Sequence, residues 1–72
     1  YHYGLIEMTP LMIAIDRRNE ILARLLMEKG ANVLAESRFG SYPLALAFSR
    51  FGTGSTFCRS LMIAVHHALP RW

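Results

Sequence analysis

The chain contains few charged residues and a single cysteine. Charged residues make up 18% of the 72 residues, whereas hydrophobic residues make up 53%. A chain this short exposes much surface relative to its volume, so we expect part of the apolar surface to face another molecule or another part of a longer chain. We also expect a processed product, a fragment or the ordered part of something longer, because the first residue is Tyr1.

The single cysteine, Cys58, excludes a disulfide bond within the chain. This suits a reducing compartment, and we expect an intracellular protein without assigning its compartment. The apolar neighbours of Cys58 favour a small buried hydrophobic residue over a reactive thiol. Apolar runs such as 61–65 are far too short to cross a bilayer.

The sequence lacks the spacings that metal sites and common catalytic sites require. His66 and His67 are adjacent, and no His-x-x-x-His or Cys-x-x-Cys spacing occurs. The Gly-Thr-Gly-Ser segment at 52–55 is not followed by the Gly-Lys-Ser/Thr of a phosphate-binding loop. We therefore predict that the chain is not an enzyme and has no catalytic residue, metal or cofactor.

The basic residues are spread along the chain. The formal net charge is +3 at pH 7, and no run of lysine or arginine is present. A nucleic-acid partner is compatible with this charge, but a scattered distribution does not indicate one. The simplest interpretation is that these charges keep an apolar domain in solution.

An internal repeat is the strongest pattern in the sequence. The segment 9–15, Thr-Pro-Leu-Met-Ile-Ala-Ile, resembles the segment 42–48, Tyr-Pro-Leu-Ala-Leu-Ala-Phe. The offset is 33 residues (42 − 9), and Pro, Leu and Ala recur at equivalent places. A period of this size is typical of helical solenoids.

Helix boundaries can be predicted around these two segments. Thr9 is suited to cap a helix that has Pro10 at its first position, and Ser41 is the expected cap of the equivalent helix at Pro43. Residues 20–29 have apolar spacing typical of an amphipathic helix, which Gly30 is expected to end in a left-handed conformation.

The remaining segments are predicted as connections and one further helix. Residues 31–41 lack a helical period and are expected to form an extended turn or a hairpin, and residues 49–56 a flexible loop. Residues 57–69 are expected to form a last helix, which Pro70 helps to end. This helix has little charge apart from Arg59, so we expect it to pack against something outside the chain.

Together, these motifs resemble the ankyrin repeat. The resemblance rests on Thr-Pro-Leu at 9–11 with its echo at 43–44, on the tract Leu-Leu-Met-Glu-Lys-Gly-Ala-Asn-Val at 25–33, and on Gly40 before Tyr42. It implies an all-α helix–turn–helix solenoid, with a lead-in at 1–8, one repeat at 9–41 and a degenerate repeat with a lengthened loop at 42–72. The glycine that the family has between paired helices is replaced by Arg18 in the first repeat and is displaced to about Gly52 in the second.

The resemblance implies a protein–protein interaction module whose partner is a protein or the flanking repeats of a longer chain. In the family, partners contact the turn tips and the exposed side of each first helix. Carried onto this chain, the implied partner-binding residues are Leu5, Ile6, Met8, Asp16, Arg17, Arg38, Phe39, Ser41 and Arg50. The family also buries Leu25 and Leu26 of the second helix, so we expect both to lie in the core.

Two alternatives remain open for these residues. The turn-tip residues could fill a local core or contact flanking repeats. The chain could also be a small structural subunit of a large multi-protein or ribonucleoprotein assembly, which its apolar surface and basic balance would suit. An adaptor with a recruitment helix after its repeats is disfavoured, because Gly54 lies where such a helix would have a leucine.

Overall fold

The protein folds into two helix pairs that stand side by side. The structure, a computed structural model, describes residues 8–38 and 40–69. These residues form four α-helices: α1 (Pro10–Asp16), α2 (Glu20–Glu28), α3 (Pro43–Phe51) and α4 (Thr56–Ala68). α1 packs against α2 and α3, and α3 packs against α4. This is the all-α helix–turn–helix repeat fold that the sequence predicts. Within the described ranges, no helix is long and apolar enough to cross a membrane.

Polar side chains cap three of the four helices at their first turn. The Thr9 hydroxyl accepts a hydrogen bond from the backbone N–H of Met12 at 3.2 Å, as the sequence predicts. Asn19 caps α2 and Ser55 caps α4 in the same way. Each cap satisfies a backbone N–H that has no partner within its helix.

The predicted cap of α3 is wrong. Tyr42, not Ser41, occupies the cap position, and it makes no side-chain cap hydrogen bond. Ser41 instead closes the preceding turn, because its N–H donates to the Ser37 hydroxyl at 3.0 Å and its carbonyl accepts from the Ser37 N–H at 2.7 Å. Pro43 at the start of α3 has a ring-fixed φ suited to a helix, so α3 begins without a side-chain cap.

The connection between α1 and α2 uses a left-handed residue that is not glycine. Arg18 has a φ of +58°, the one positive φ outside glycine in the described part of the chain. A side chain with a Cβ pays a steric cost in this conformation, which glycine avoids. Arg18 therefore occupies the left-handed turn position at which the family has glycine. Gly30 ends α2 with a φ of +87°, as predicted.

The connection between α3 and α4 is shorter than the sequence suggests. α3 continues through Ser49 and Arg50 to Phe51, and α4 begins at Thr56, so the prediction of a flexible loop over 49–56 is wrong for its first three residues and its last. Only residues 52–55 connect the helices, and Gly52 ends α3 with a φ of +85°. The Phe51 ring packs against the Phe57 ring, and the two ring centroids are 4.9 Å apart. This aromatic contact explains why the helix continues through two polar residues.

The core lies between the two helix pairs and draws on all four helices. Its buried members are Leu11, Ala14, Ile15, Ala23, Val33, Ala47, Phe57, Cys58 and Leu61. Ala23 supplies the buried position of α2, at 0% exposure, whereas Leu25 is 46% exposed. The expectation that Leu25 is buried is therefore wrong, because α2 turns Leu25 away from α1 and offers small Ala23 to the core. Leu26 is half-buried and packs against the core.

Candidate protein-interaction surface

Two of the predicted partner-binding residues come together where α1 and α3 end. The carboxylate Oδ1 of Asp16 accepts hydrogen bonds from Nε of Arg50 at 3.1 Å and from Nη2 at 2.5 Å. Nη1 of Arg50 also donates to the Ser49 hydroxyl at 3.1 Å. The ion pair thus joins the last residue of α1 to the last turn of α3, and the adjacent Arg17 is exposed.

This ion pair is open to water. The two side chains are 37% and 42% exposed, so solvent and salt screen their attraction. Nε, Nη1 and Nη2 of Arg50 all donate hydrogen bonds, to Asp16 and Ser49. A guanidinium at a protein surface can also recognise a carboxylate or an aromatic face on a partner.

The turn between the two helix pairs holds two further predicted residues. Arg38 is exposed and Ser41 is half-buried. Ser37 is 5% exposed, and its hydroxyl accepts from the Ser41 N–H, so the turn is braced from inside. Arg38, next to Ser37, is exposed at the surface.

The other predicted residues are less defined. Met8, ahead of α1, is half-buried. Leu5, Ile6 and Phe39 lie outside the described residues. Within the described part of the predicted set, hydrogen bonds connect Asp16 and Arg50.

An apolar pocket beside α3 was not predicted. It has a volume of about 330 Å³ and no polar atoms at its surface. The pocket is lined by Val33, Leu34, Tyr42, Leu44, Ala45, Phe48 and Val65. A second apolar surface, on α2, consists of Ile21, Leu22 and Leu25, which are 84%, 41% and 46% exposed. The apolar composition indicated such surfaces in general, but periodicity did not locate them.

Arg24 links the second helices of the two pairs. Its Nε donates to Glu20 at 2.7 Å, and its Nη1 donates to the Ser60 hydroxyl at 3.2 Å. The guanidinium carbon also lies 5.6 Å from the centroid of the Phe57 ring. Arg24 therefore spans from α2 to α4, and the cation–π contact is stronger because Phe57 is buried.

The described residues contain no group of three histidine, cysteine or acidic side chains that could hold a metal ion. Cys58 is buried, in agreement with its interpretation as a core residue. His66 and His67 are exposed near the end of α4.

The repeated helix pairs agree with a family comparison. Residues 7–38 match the family model of the ankyrin repeat. These 32 of the 72 residues are similar to an ankyrin repeat. No curated protein and no solved structure gives a significant match to the chain. Ankyrin repeats generally mediate protein–protein interaction.

The matched segment comprises α1, α2 and most of the connection that follows. The helix pair α3–α4 lies beyond the match but has the same order of elements. It differs in length, because the first residues of its helices are 13 positions apart (56 − 43) rather than 10 (20 − 10). Two of the three added residues lengthen α3, since α3 has nine residues and α1 has seven.

Proposed function

We propose that this chain binds a protein partner and performs no catalysis. The observation that supports this most directly is the pairing of α1 and α3 through Asp16 and Arg50, which places charged groups of both helices on one ordered surface. The ankyrin match over residues 7–38 supports the same function. A surface assembled from several repeats is the usual binding mode of solenoid proteins.

The proposed partner-binding surface contains an ion pair and two further arginines. Its described members are Met8, Asp16, Arg17, Arg38, Ser41 and Arg50, and Leu5, Ile6 and Phe39 are its members outside the described residues. Arginine is enriched among the residues that dominate binding energy, because its guanidinium makes several directed contacts at once. Arg38 is the residue we choose to test, since it is exposed and follows the buried Ser37.

The test starts from the protein that co-purifies with the native chain, identified by mass spectrometry and then produced separately. We expect Arg38→Glu to weaken binding of that partner by about 2 kcal/mol or more, roughly thirtyfold in affinity. Isothermal titration calorimetry measures the affinity, and circular dichroism checks that the helices remain. Arg59→Glu is the matched control, because Arg59 is exposed on α4, outside the proposed surface. Equal affinities for both variants and the parent would refute this surface.

We also propose, as an alternative, that the chain is a structural subunit of a large multi-protein or ribonucleoprotein assembly. The apolar pocket and the exposed residues of α2 support it, because large apolar surfaces are usually covered. Density-gradient sedimentation of a native extract, with and without ribonuclease, distinguishes the two proposals. Sedimentation with a large particle supports the assembly, and sensitivity of that particle to ribonuclease identifies an RNA component.

A further inference from the structure

The two repeats bury equivalent residues to very different extents. Leu11 and Ile15 of α1 are 1% and 0% exposed and belong to the core that α3 and α4 complete. The residues 33 positions later, Leu44 and Phe48, line the open apolar pocket instead. The side of the first repeat that the second repeat covers thus recurs on the second repeat, where Leu44 and Phe48 are half-buried rather than buried.

The second helices show the reverse relationship. Phe57, Cys58 and Leu61 of α4 are each 0% exposed. The helices α2 and α4 begin 36 positions apart (56 − 20), so their equivalents on α2 are Ile21, Leu22 and Leu25, all of which are exposed. The contact of Arg24 with the Phe57 ring shows that this side of α4 meets the first repeat.

The chain therefore carries, at opposite ends, counterparts of both sides of its own internal interface. We name the surface around Leu44, Ala45 and Phe48 the pocket face, and the surface of Ile21, Leu22 and Leu25 the α2 face. We propose that copies of this chain associate head to tail, with the pocket face of one copy packed against the α2 face of the next. The new contact repeats the arrangement that already joins the two repeats within one chain.

The polar residues beside the two faces do not drive this contact. Inside the chain, Arg24 donates to Ser60, and Asp16 pairs with Arg50. Equivalent positions between two copies would place Ser60 opposite Arg24 and Ser49 opposite Arg17. Each serine already accepts a hydrogen bond from an arginine of its own copy, Ser60 from Arg24 and Ser49 from Arg50. The proposed association therefore rests on the two apolar faces and not on these polar positions.

A head-to-tail contact uses two different surfaces and does not close on itself. Every added copy leaves one pocket face and one α2 face exposed, so the assembly grows with concentration. A two-fold symmetric dimer would behave differently, because each of its copies would use the same surface. A head-to-tail contact and a symmetric dimer can therefore be distinguished by experiment.

Two variants each block one face with the same charge. Ile21→Glu changes the α2 face, and Ala45→Glu changes the pocket face. Both residues are exposed, so neither change removes a core contact. Thr53→Glu is the matched control, because Thr53 is exposed in the connection between α3 and α4, outside both faces. Circular dichroism at low concentration checks that each variant keeps its helices.

The experiment is sedimentation equilibrium of the full chain at concentrations up to about 1 mM. We expect the average mass of the parent and of Thr53→Glu to rise with concentration, and both face variants to remain monomers. An equimolar mixture of the two face variants should form a one-to-one dimer, because each supplies the face that the other lacks. A parent that stays monomeric, a mixture that stays monomeric, or a single face variant that still associates alone would overturn the proposal.

The unmodified chain provides a second measurement that needs no folded variant. As its concentration rises, amide chemical shifts should change at both the α2 face and the pocket face, and not at residues 52–55. Changes confined to one face would indicate a symmetric contact and would contradict the head-to-tail arrangement.

Discussion

Arg50 of α3 donates two hydrogen bonds to the Asp16 carboxylate of α1, and the two residues are 34 positions apart in the sequence. This ion pair connects the first helices of the two repeats at their exposed ends. The buried part of the same contact is apolar, with Ile15 and Ala47 in the core. Its strength can therefore be measured separately from that of the core.

The Asp16–Arg50 pair should contribute modestly to stability. We expect a double-mutant cycle of Asp16→Ala and Arg50→Ala to give a coupling free energy of about 0.2–1 kcal/mol, because both groups are partly hydrated. Chemical denaturation with urea measures the four stabilities, and added salt should reduce the coupling. Arg59→Ala is the control. Its effect on the free energy of unfolding should add to that of Asp16→Ala, with no coupling between the two. A coupling free energy above this range that added salt does not reduce would contradict an ion pair screened by solvent.

Leu61 and Leu25 should respond very differently to truncation. Leu61 is 0% exposed and Leu25 is 46% exposed. Leu61→Ala should lower the free energy of unfolding by about 2–5 kcal/mol, because it leaves a cavity between the repeats. Leu25→Ala should cost less than about 1 kcal/mol in the monomer. Thermal melts at low protein concentration compare the two, and equal losses would show that α2 is rotated relative to the structure.

Arg18→Gly should stabilise the chain. Arg18 has a φ of +58°, and glycine relieves about 1–2 kcal/mol of steric cost there, partly offset by its greater entropy in the unfolded state. We expect a net gain of about 0.5–1 kcal/mol in urea unfolding. Arg17→Gly is the control, since Arg17 has a φ of −88° and should lose stability. A loss of stability in Arg18→Gly would mean that side-chain contacts of Arg18 outweigh its backbone cost.

Ser55 and Ser41 should differ as helix caps. Ser55 accepts a hydrogen bond from the Cys58 N–H at 2.9 Å, so Ser55→Ala should cost about 0.5–2 kcal/mol. Ser41→Ala should have little effect, because no side chain caps α3. Amide hydrogen exchange in the first turns of α3 and α4 gives the local readout. Faster amide exchange in the first turn of α3 after Ser41→Ala would show that Ser41 caps this helix after all.

Local signals predicted much of the fold. Thr9 with Pro10, and Gly30 after an amphipathic segment, identified helix ends because capping depends on neighbouring residues only. Ser49 and Arg50 were misread as loop residues, because polar residues on the outer side of a helix resemble a loop in the sequence. The aromatic contact of Phe51 with Phe57 depends on tertiary packing, which the local pattern does not contain.

The candidate surfaces were harder to predict. Periodicity places Ile21, Leu22 and Leu25 on an apolar helix, but it does not say which of them face the other repeat. The repeat offset could have predicted that Asp16 and Arg50 are neighbours, since equivalent helices stand side by side in a solenoid. The different exposure of Leu25 and Leu61 depends on tertiary packing, which the sequence does not reveal because both residues lie in apolar local contexts.

The buried position of Cys58 gives the chain an intrinsic reporter of its own opening. Cys58 is the single cysteine, it is 0% exposed, and it lies in the core between the two repeats. A thiol reagent can reach its sulfur only after α4 moves away from that core. The rate of modification therefore reads out the free energy of this separation, without an attached dye. Comparing that rate with amide exchange in α1 would show whether the two repeats part before either one unfolds.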